Sequence, residues 1–176
     1  MTQEILSDIV YSEAQVQERI RALAAEINRQ YEGEDLVVIC VLKGAFMFFS
    51  DLVKHITVRP RLDFVRIASY GNKTSSEERV YFTKDVELPL KDQHVLVVED
   101  VVDTGRSMEF LYGQLCARGA KSIKLCALVD KSERRAVDIK VDFAGFKLAE
   151  GFIVGYGLDY AERYRELPEI RILELK

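Results

Sequence analysis

Two adjacent carboxylates, Glu99 and Asp100, follow a β-branched apolar stretch in the run Val95–Met108, VLVVEDVVDTGRSM. After two more apolar residues comes Asp103-Thr104-Gly105-Arg106-Ser107, and then a helical pattern. A small polar loop opening a helix offers backbone N–H groups and a hydroxyl to a phosphate, at the positive end of the helix dipole. Neighbouring acids suit sugar hydroxyls or a hard cation such as Mg²⁺, which takes oxygen ligands in the company of phosphate. They repel each other and gain nothing by packing, which favours a functional reason for their presence. The same run also reads as an ordinary strand-to-helix turn with a capped helix. Read by residue type, it predicts a site for a phosphorylated sugar held with a metal.

Other candidates lie far away in sequence. Lys43-Gly44 puts a cation and a flexible backbone directly after the apolar run Leu36–Leu42. Lys131 stands just past a second apolar run, in ALVDKSERR, where a solvated lysine is equally ordinary. Gly71–Arg79, GNKTSSEER, is polar, glycine-led and weakly patterned, as expected of a mobile connection. Phe152–Tyr160, FIVGYGLDY, is too rich in Gly and Asp for a plain strand. With only His55 and His94 present, a histidine triad or a zinc site has little support, and both histidines are expected at the surface or at element ends. No Walker sequence and no G-x-G-x-x-G after a strand occurs, which disfavours an NTPase or a dinucleotide oxidoreductase.

Strands alternating with helices must position these groups. Ser12 is expected to cap a helix with apolar positions Ala14, Val16, Ile20, Leu23, Ala24, Ile27 and Tyr31, ended by Gly33. Strands are expected at Leu36–Leu42, Pro60–Tyr70, around Tyr81, at His94–Val98, Ser122–Val129, Val141–Phe146 and Phe152–Tyr156, and helices at Ala45–His55 and Ser107–Arg118. That order predicts an α/β fold with a mostly parallel sheet covered by helices. In such sheets ligands bind beyond the carboxyl ends of the strands, where the acids and the polar loop fall.

The 176 residues suffice for one domain with a full core. A net charge of −4 argues against nonspecific nucleic-acid binding. No apolar run approaches a membrane span, and the first residues lack the pattern of a signal peptide. Cys40, Cys116 and Cys126 lack metal spacing and are expected as buried free thiols in a reducing, cytoplasmic setting.

Residue for residue, Val95–Ser107 resembles the phosphoribosyl-diphosphate (PRPP) signature of the type I phosphoribosyltransferases: four apolar residues, two acids, two apolar residues, then D-T-G-x-[ST]. Phe152–Tyr160 resembles the F-V-V-G-Y-x-L-D-Y segment of the 6-oxopurine branch of bacterial type. The resemblance runs from about Ile39 to Arg165. It implies the type I fold, with a core over about 36–135 and a small hood from 136–176 and the N-terminal segment. It implies Mg²⁺-dependent transfer of the phosphoribosyl group from PRPP to N9 of a 6-oxopurine in a homodimer or homotetramer.

By the same resemblance Glu99 and Asp100 would hold the ribose hydroxyls, directly or through Mg²⁺. Asp103 would be the general base near purine N7. Thr104, Gly105, Arg106 and Ser107, with the Asp103 backbone, would wrap the 5′-phosphate, although many relatives have Lys and Thr where this chain has Arg106 and Ser107. Lys43, Gly44 and Arg165 would contact pyrophosphate, with a cis bond between Leu42 and Lys43, and Asp159 would take a Mg²⁺ ion. Lys131 would donate to the 6-oxo group, Phe152 would stack on the purine and the Ile153 backbone would read its edge. Ser69, Tyr70, Gly71, Asn72, Lys73 and Thr74 would form a lid. A phosphoribosyltransferase for another base, and an RNA-binding regulator on the same fold, remain alternatives. The apolar run Ala45–Val53 is a plausible subunit interface.

Overall fold

Every residue from Leu36 to Val41 is buried, as an apolar run must be when a strand is covered on both faces. The computed structural model describes residues 4–70 and 79–176. In chain order the elements are β1 (Glu4–Tyr11), α1 (Glu13–Gln30), β2 (Leu36–Leu42), α2 (Phe46–His55), β3 (Arg61–Tyr70), β4 (Arg79–Lys84), β5 (His94–Val102), α3 (Arg106–Ala117), β6 (Ser122–Asp130), β7 (Phe143–Lys147), β8 (Ile153–Val154) and β9 (Ile170–Leu175). A short 3₁₀ turn, Ser132–Arg134, follows β6.

Among the described residues six strands form one sheet in the order β4-β3-β2-β5-β6-β7. All its pairings are parallel except that of β3 with β4. Because strand side chains alternate between faces, one set, including Val38, Cys40, Leu96, Val98 and Leu128, meets α1 and α2. The alternate set, including Val37, Ile39, Val95, Val97 and Leu125, meets Met108, Leu111 and Leu115 of α3. Each aliphatic side chain so buried contributes about 1.5–3 kcal/mol. This two-faced core fixes where β2, β5 and β6 end, and so fixes the site.

Ser12 does cap α1, in a reciprocal capping box with Gln15. Gly33 supplies a left-handed turn beyond the helix end (φ 76°). Ala14 is not on the buried face, which carries Val16, Ile20, Leu23, Ala24 and Ile27.

Several expected boundaries move. Strand β5 does not stop before the acids but runs on to Val102, because Val101 and Val102 pair with Val129 and Asp130 of β6. The two later strands shrink, β8 most, since Gly155 and Tyr156 take positive φ (98° and 52°) and turn the chain. Cys40 and Cys126 are buried free thiols, but Cys116 is exposed on α3. His55 ends α2 and His94 begins β5, as anticipated.

A second sheet, β1-β9-β8, was not anticipated from the sequence. Its strand β1 has no fully buried residue and pairs with the far end of the chain, Glu4 with Leu175. Ile153, Tyr156, Leu158 and Ile170 join the core on the α1–α2 side and anchor this sheet over the strand ends. No helix among the described residues is long and apolar enough to cross a membrane.

Candidate active site

The β5–α3 connection is held from behind. Lys131 N–H donates to the Val102 carbonyl (3.0 Å) and Ala136 N–H to that of Thr104 (2.9 Å). Arg135 Nε donates to the carbonyl of Asp103 (3.0 Å). The Arg135 guanidinium also binds the Ile139 carbonyl and the Asp130 carboxylate, with both ion-pair partners largely buried. In a trans peptide the C=O and the next N–H point in opposite directions. Three carbonyls drawn toward 131–136 therefore turn the N–H groups of Asp103, Thr104 and Gly105 the other way.

On that other side lies a cavity of about 190 Å³, lined by Glu99, Asp100, Asp103, Thr104, Gly105 and Ser107 among others. Gly105 is left-handed (φ 83°) and starts α3 without a side-chain cap. A Cβ there would come within 2.9 Å of Val137. Thr104, Arg106 and Ser107 are exposed at the helix start. Backbone donors, a helix N-terminus and hydroxyls make this an anion cradle.

Glu99 is buried, and burial together with the Asp100 charge pushes its carboxyl well above the usual range. It accepts from Asp100 N–H at 2.9 Å, while Asp100 accepts from Val101 N–H at 2.7 Å. The Leu42–Lys43 bond is cis, as expected. Next to it a Cβ on Gly44 would lie 1.6 Å from an Asp100 carboxylate oxygen, so any side chain there would force Asp100 to move. A Cβ on Gly157 would in turn lie 2.2 Å from the Gly44 carbonyl oxygen.

A second cavity, about 510 Å³, is lined by Asp100 and Asp103 on one side and by Lys131, Phe152, Ile153 and Asp159 on the other. One Asp103 oxygen pairs with Arg134 at 3.1 Å. The other is buried and has no hydrogen-bond partner among the described residues. Lys131 is buried, which lowers the pKa of its ammonium, and its Nζ donates to the Gly151 carbonyl at 2.7 Å. Phe152 is half exposed, its ring perpendicular to that of Tyr160 with centroids 5.7 Å apart. The Ile153 backbone pairs with Ile172 in β9. Tyr156 is buried in the core on the α1–α2 side, and its hydroxyl donates to Asp51 of α2, tying the hood to the core.

At the far end Arg165 pairs with Asp159 (2.7 Å) and with Glu162 (3.2 Å), and donates to the Gly157 carbonyl (2.7 Å). Lys43 reaches the same Glu162 at 3.0 Å. The expected site residues thus converge from β2, β5, β6 and the hood, apart from the lid. Ser69 and Tyr70 end β3, while Gly71, Asn72, Lys73 and Thr74 lie outside the described residues.

For a divalent cation the donors are spare. Among the described residues no three His, Cys, Asp or Glu side chains form a complete ligand set. Asp100 and Asp159 nevertheless face one cavity. Two carboxylates suit Mg²⁺, which keeps waters and takes substrate phosphate oxygens.

A family model described as the phosphoribosyl transferase domain matches residues 7–161. The chain belongs to the phosphoribosyl transferase family. It is 41% identical over 174 residues to the hypoxanthine-guanine phosphoribosyltransferase of Bacillus subtilis, covering 99% of this chain and 97% of that one. The hypoxanthine phosphoribosyltransferase of Escherichia coli is 38% identical over 165 residues, 93% of each chain. A crystal structure of a hypoxanthine-guanine phosphoribosyltransferase from Bacillus anthracis superposes with a TM-score of 0.91 at 40% identity, covering 98% of this chain and 100% of that one. The type I phosphoribosyltransferase fold is therefore the fold of this chain.

Sequence reasoning missed three members of this phosphoribosyl transferase site. Arg134 and Arg135 stand three and four residues past Lys131, in a segment that reads as a charged turn. Nothing local says that one arginine reaches Asp103 while the other turns back under the loop. Glu162 likewise reads as a surface acid, and only the fold sets it between Lys43 and Arg165.

Proposed function

We propose that this enzyme transfers the 5-phosphoribosyl group of PRPP to N9 of hypoxanthine, and of guanine, releasing pyrophosphate and forming the nucleoside 5′-monophosphate. The observation that carries this reading is the single cavity shared by Asp100 and Asp103 of the sugar-phosphate motif and by Lys131, Phe152, Ile153 and Asp159. The printed names of the relatives, hypoxanthine and hypoxanthine-guanine phosphoribosyltransferase, support it.

In this reading the 5′-phosphate sits against the backbone N–H groups of Asp103–Ser107 and the start of α3. Asp100 carries the charge beside the ribose hydroxyls. Glu99, held toward its neutral form, is a hydrogen-bond partner there and a poorer cation ligand than Asp100. The C1–O bond to pyrophosphate breaks, the C1–N9 bond forms, and the purine proton passes to Asp103. Its unpartnered buried oxygen suits a general base. Lys131 leaves the Gly151 carbonyl for the 6-oxo group. A lysine only donates, so a 6-amino group offers it nothing. Phe152 covers the purine face. Lys43, Gly44 and Arg165 receive the leaving group, and Mg²⁺ held by Asp100 and Asp159 would neutralise its charge. Positioning and charge stabilisation supply the catalysis.

We read the chain as one domain, with residues 1–176 divided between the sheet core and the hood. The lid assignment of Ser69–Thr74 stands with this proposal, as does a cytoplasmic setting, which the free thiols of Cys40 and Cys126 suit. Phe48, Phe49 and Leu52 of α2 are core, so the subunit interface of a homodimer or homotetramer would centre on exposed Phe46, Leu62 and Phe64.

The test is pyrophosphate release with PRPP and Mg²⁺ across hypoxanthine, guanine, xanthine, adenine and uracil, for wild type and Lys131→Ala. Wild type should turn over 6-oxopurines and not adenine or uracil. Lys131→Ala should raise the KM for hypoxanthine about tenfold or more, the worth of one charge-assisted hydrogen bond, with PRPP binding retained. Turnover of uracil, or equal losses on both substrates, would refute the purine assignment.

A further inference from the structure

Glu162 sits at the tip of a two-residue hairpin whose flanking residues, Tyr160 and Arg163, exchange both backbone hydrogen bonds. The two tip residues, Ala161 and Glu162, have φ of 50° and 63°. Positive φ at both central positions is the pattern of a type I′ turn, which favours Asn-Gly. Neither Ala nor Glu is suited to it, and strain held at a functional site calls for a functional reason. The backbone N–H of Glu162 is fastened to the Asp159 carboxylate at 2.9 Å. From this tip one carboxylate oxygen reaches Lys43 Nζ at 3.0 Å and an Arg165 guanidinium nitrogen at 3.2 Å. Lys43 stands at the end of β2, far from the hood in sequence. Both cations draw the Glu162 carboxyl below its usual range, so it is an anion at neutral pH.

We propose that Glu162 is the resident counter-ion of the leaving-group site: its carboxylate takes the place between Lys43 and Arg165 that a pyrophosphate oxygen takes when substrate or product is bound. This rests on assigning Lys43 and Arg165 to pyrophosphate. Three consequences follow from electrostatics. Glu162 offsets the mutual repulsion of the two cations while the site is open. It competes with pyrophosphate for them, so it weakens the affinity for the product. It also lies at the mouth of the site with most of its side chain in water, so it swings aside at small cost. The acid thus acts through Lys43 and Arg165 and is a positioning residue for them.

The experiment is calorimetric titration of the full chain with inorganic pyrophosphate in Mg²⁺, for wild type, Glu162→Gln, Lys43→Ala, Arg165→Ala and Lys43→Ala/Glu162→Gln. Exposed ion pairs are individually weak, so Glu162→Gln should tighten pyrophosphate about three- to tenfold. The gain should be mostly lost once Lys43 is alanine. A purely structural role for Glu162 would loosen binding, not tighten it. Unchanged or weaker binding by Glu162→Gln, with Lys43→Ala still weakening it, overturns the counter-ion proposal and leaves the leaving-group site intact. If Lys43→Ala and Arg165→Ala both leave pyrophosphate affinity unchanged, the assignment beneath it falls as well.

Discussion

Around Asp103–Ser107 the groups we assign to an anion are main-chain N–H donors, whereas around Lys43 and Arg165 they are the ends of long side chains. The first set is held by carbonyl contacts to 131–136 and by the largely buried Arg135–Asp130 pair. The second is held by ion pairs to Glu162 and Asp159, with the Lys43 side chain 45% exposed. Backbone donors cannot rotate away and need no reorganisation when the ligand arrives. Side-chain cations can exchange one anion for another, at the cost of ordering them. In the proposed reaction the 5′-phosphate stays bound throughout while pyrophosphate must leave, and this division would serve both.

The largest effect is expected at Arg135. Arg135→Ala strips the loop of its support and leaves Asp130 charged and largely buried without its partner. Breaking such a pair costs about 3–5 kcal/mol. For a chain of this size that is a fall in Tm of about 6–20 °C. The KM for PRPP should rise more than tenfold, and Arg135→Lys should recover part of the stability but less of the KM, because a lysine cannot reach several carbonyls at once. Paired kinetics and thermal melts read both. A normal KM for PRPP in a folded Arg135→Ala protein would mean that the loop holds its shape unaided.

At the opposite end Lys43→Ala should leave Tm within about 4 °C of wild type, since an exposed ion pair is worth at most about 1 kcal/mol. Its cost should fall on pyrophosphate affinity and should shrink at high salt, where side-chain charges are screened. A large fall in Tm would show that this end is as structural as the other.

Glu99 gives the smallest effect and sharpens the phosphate end. Its carboxyl titrates above its ordinary value of 4.5 because burial and Asp100 oppose the charge. A carboxyl so raised favours the fold fully below its unfolded value, and that contribution is lost as pH climbs through the folded value. Glu99→Gln is neutral throughout, so its Tm relative to wild type should improve as pH rises from about 4.5. Parallel melting curves across that range would show that Glu99 ionises freely in the fold.

How much of this was readable beforehand divides along similar lines. The core strands β2, β5 and β6 and the loop after β5 are local in sequence, so residue types and spacing suffice for them. The cis bond, Lys131 and Phe152–Asp159 were reachable only through resemblance, because a lysine past a strand carries no local signal. Strands β1 and β9 escaped because they pair across nearly the whole chain, Glu4 with Leu175, and β1 buries no side chain completely. Arg135 and Glu162 escaped for a related reason: their partners lie across the fold or in backbone carbonyls, which no side-chain pattern records.

The stack Asp100–Gly44–Gly157 joins the end of β5, the loop after β2 and the hood through two residues that have no side chain. Contacts between rotatable groups can absorb a small error by shifting a rotamer. Here backbone lies against backbone at Gly157, and at Gly44 only the Asp100 carboxylate, itself accepting from Val101 N–H, could move aside. The column works as a spacer of set thickness, and one added methyl group at either glycine would lift the hood off the loop or push Asp100 out of line.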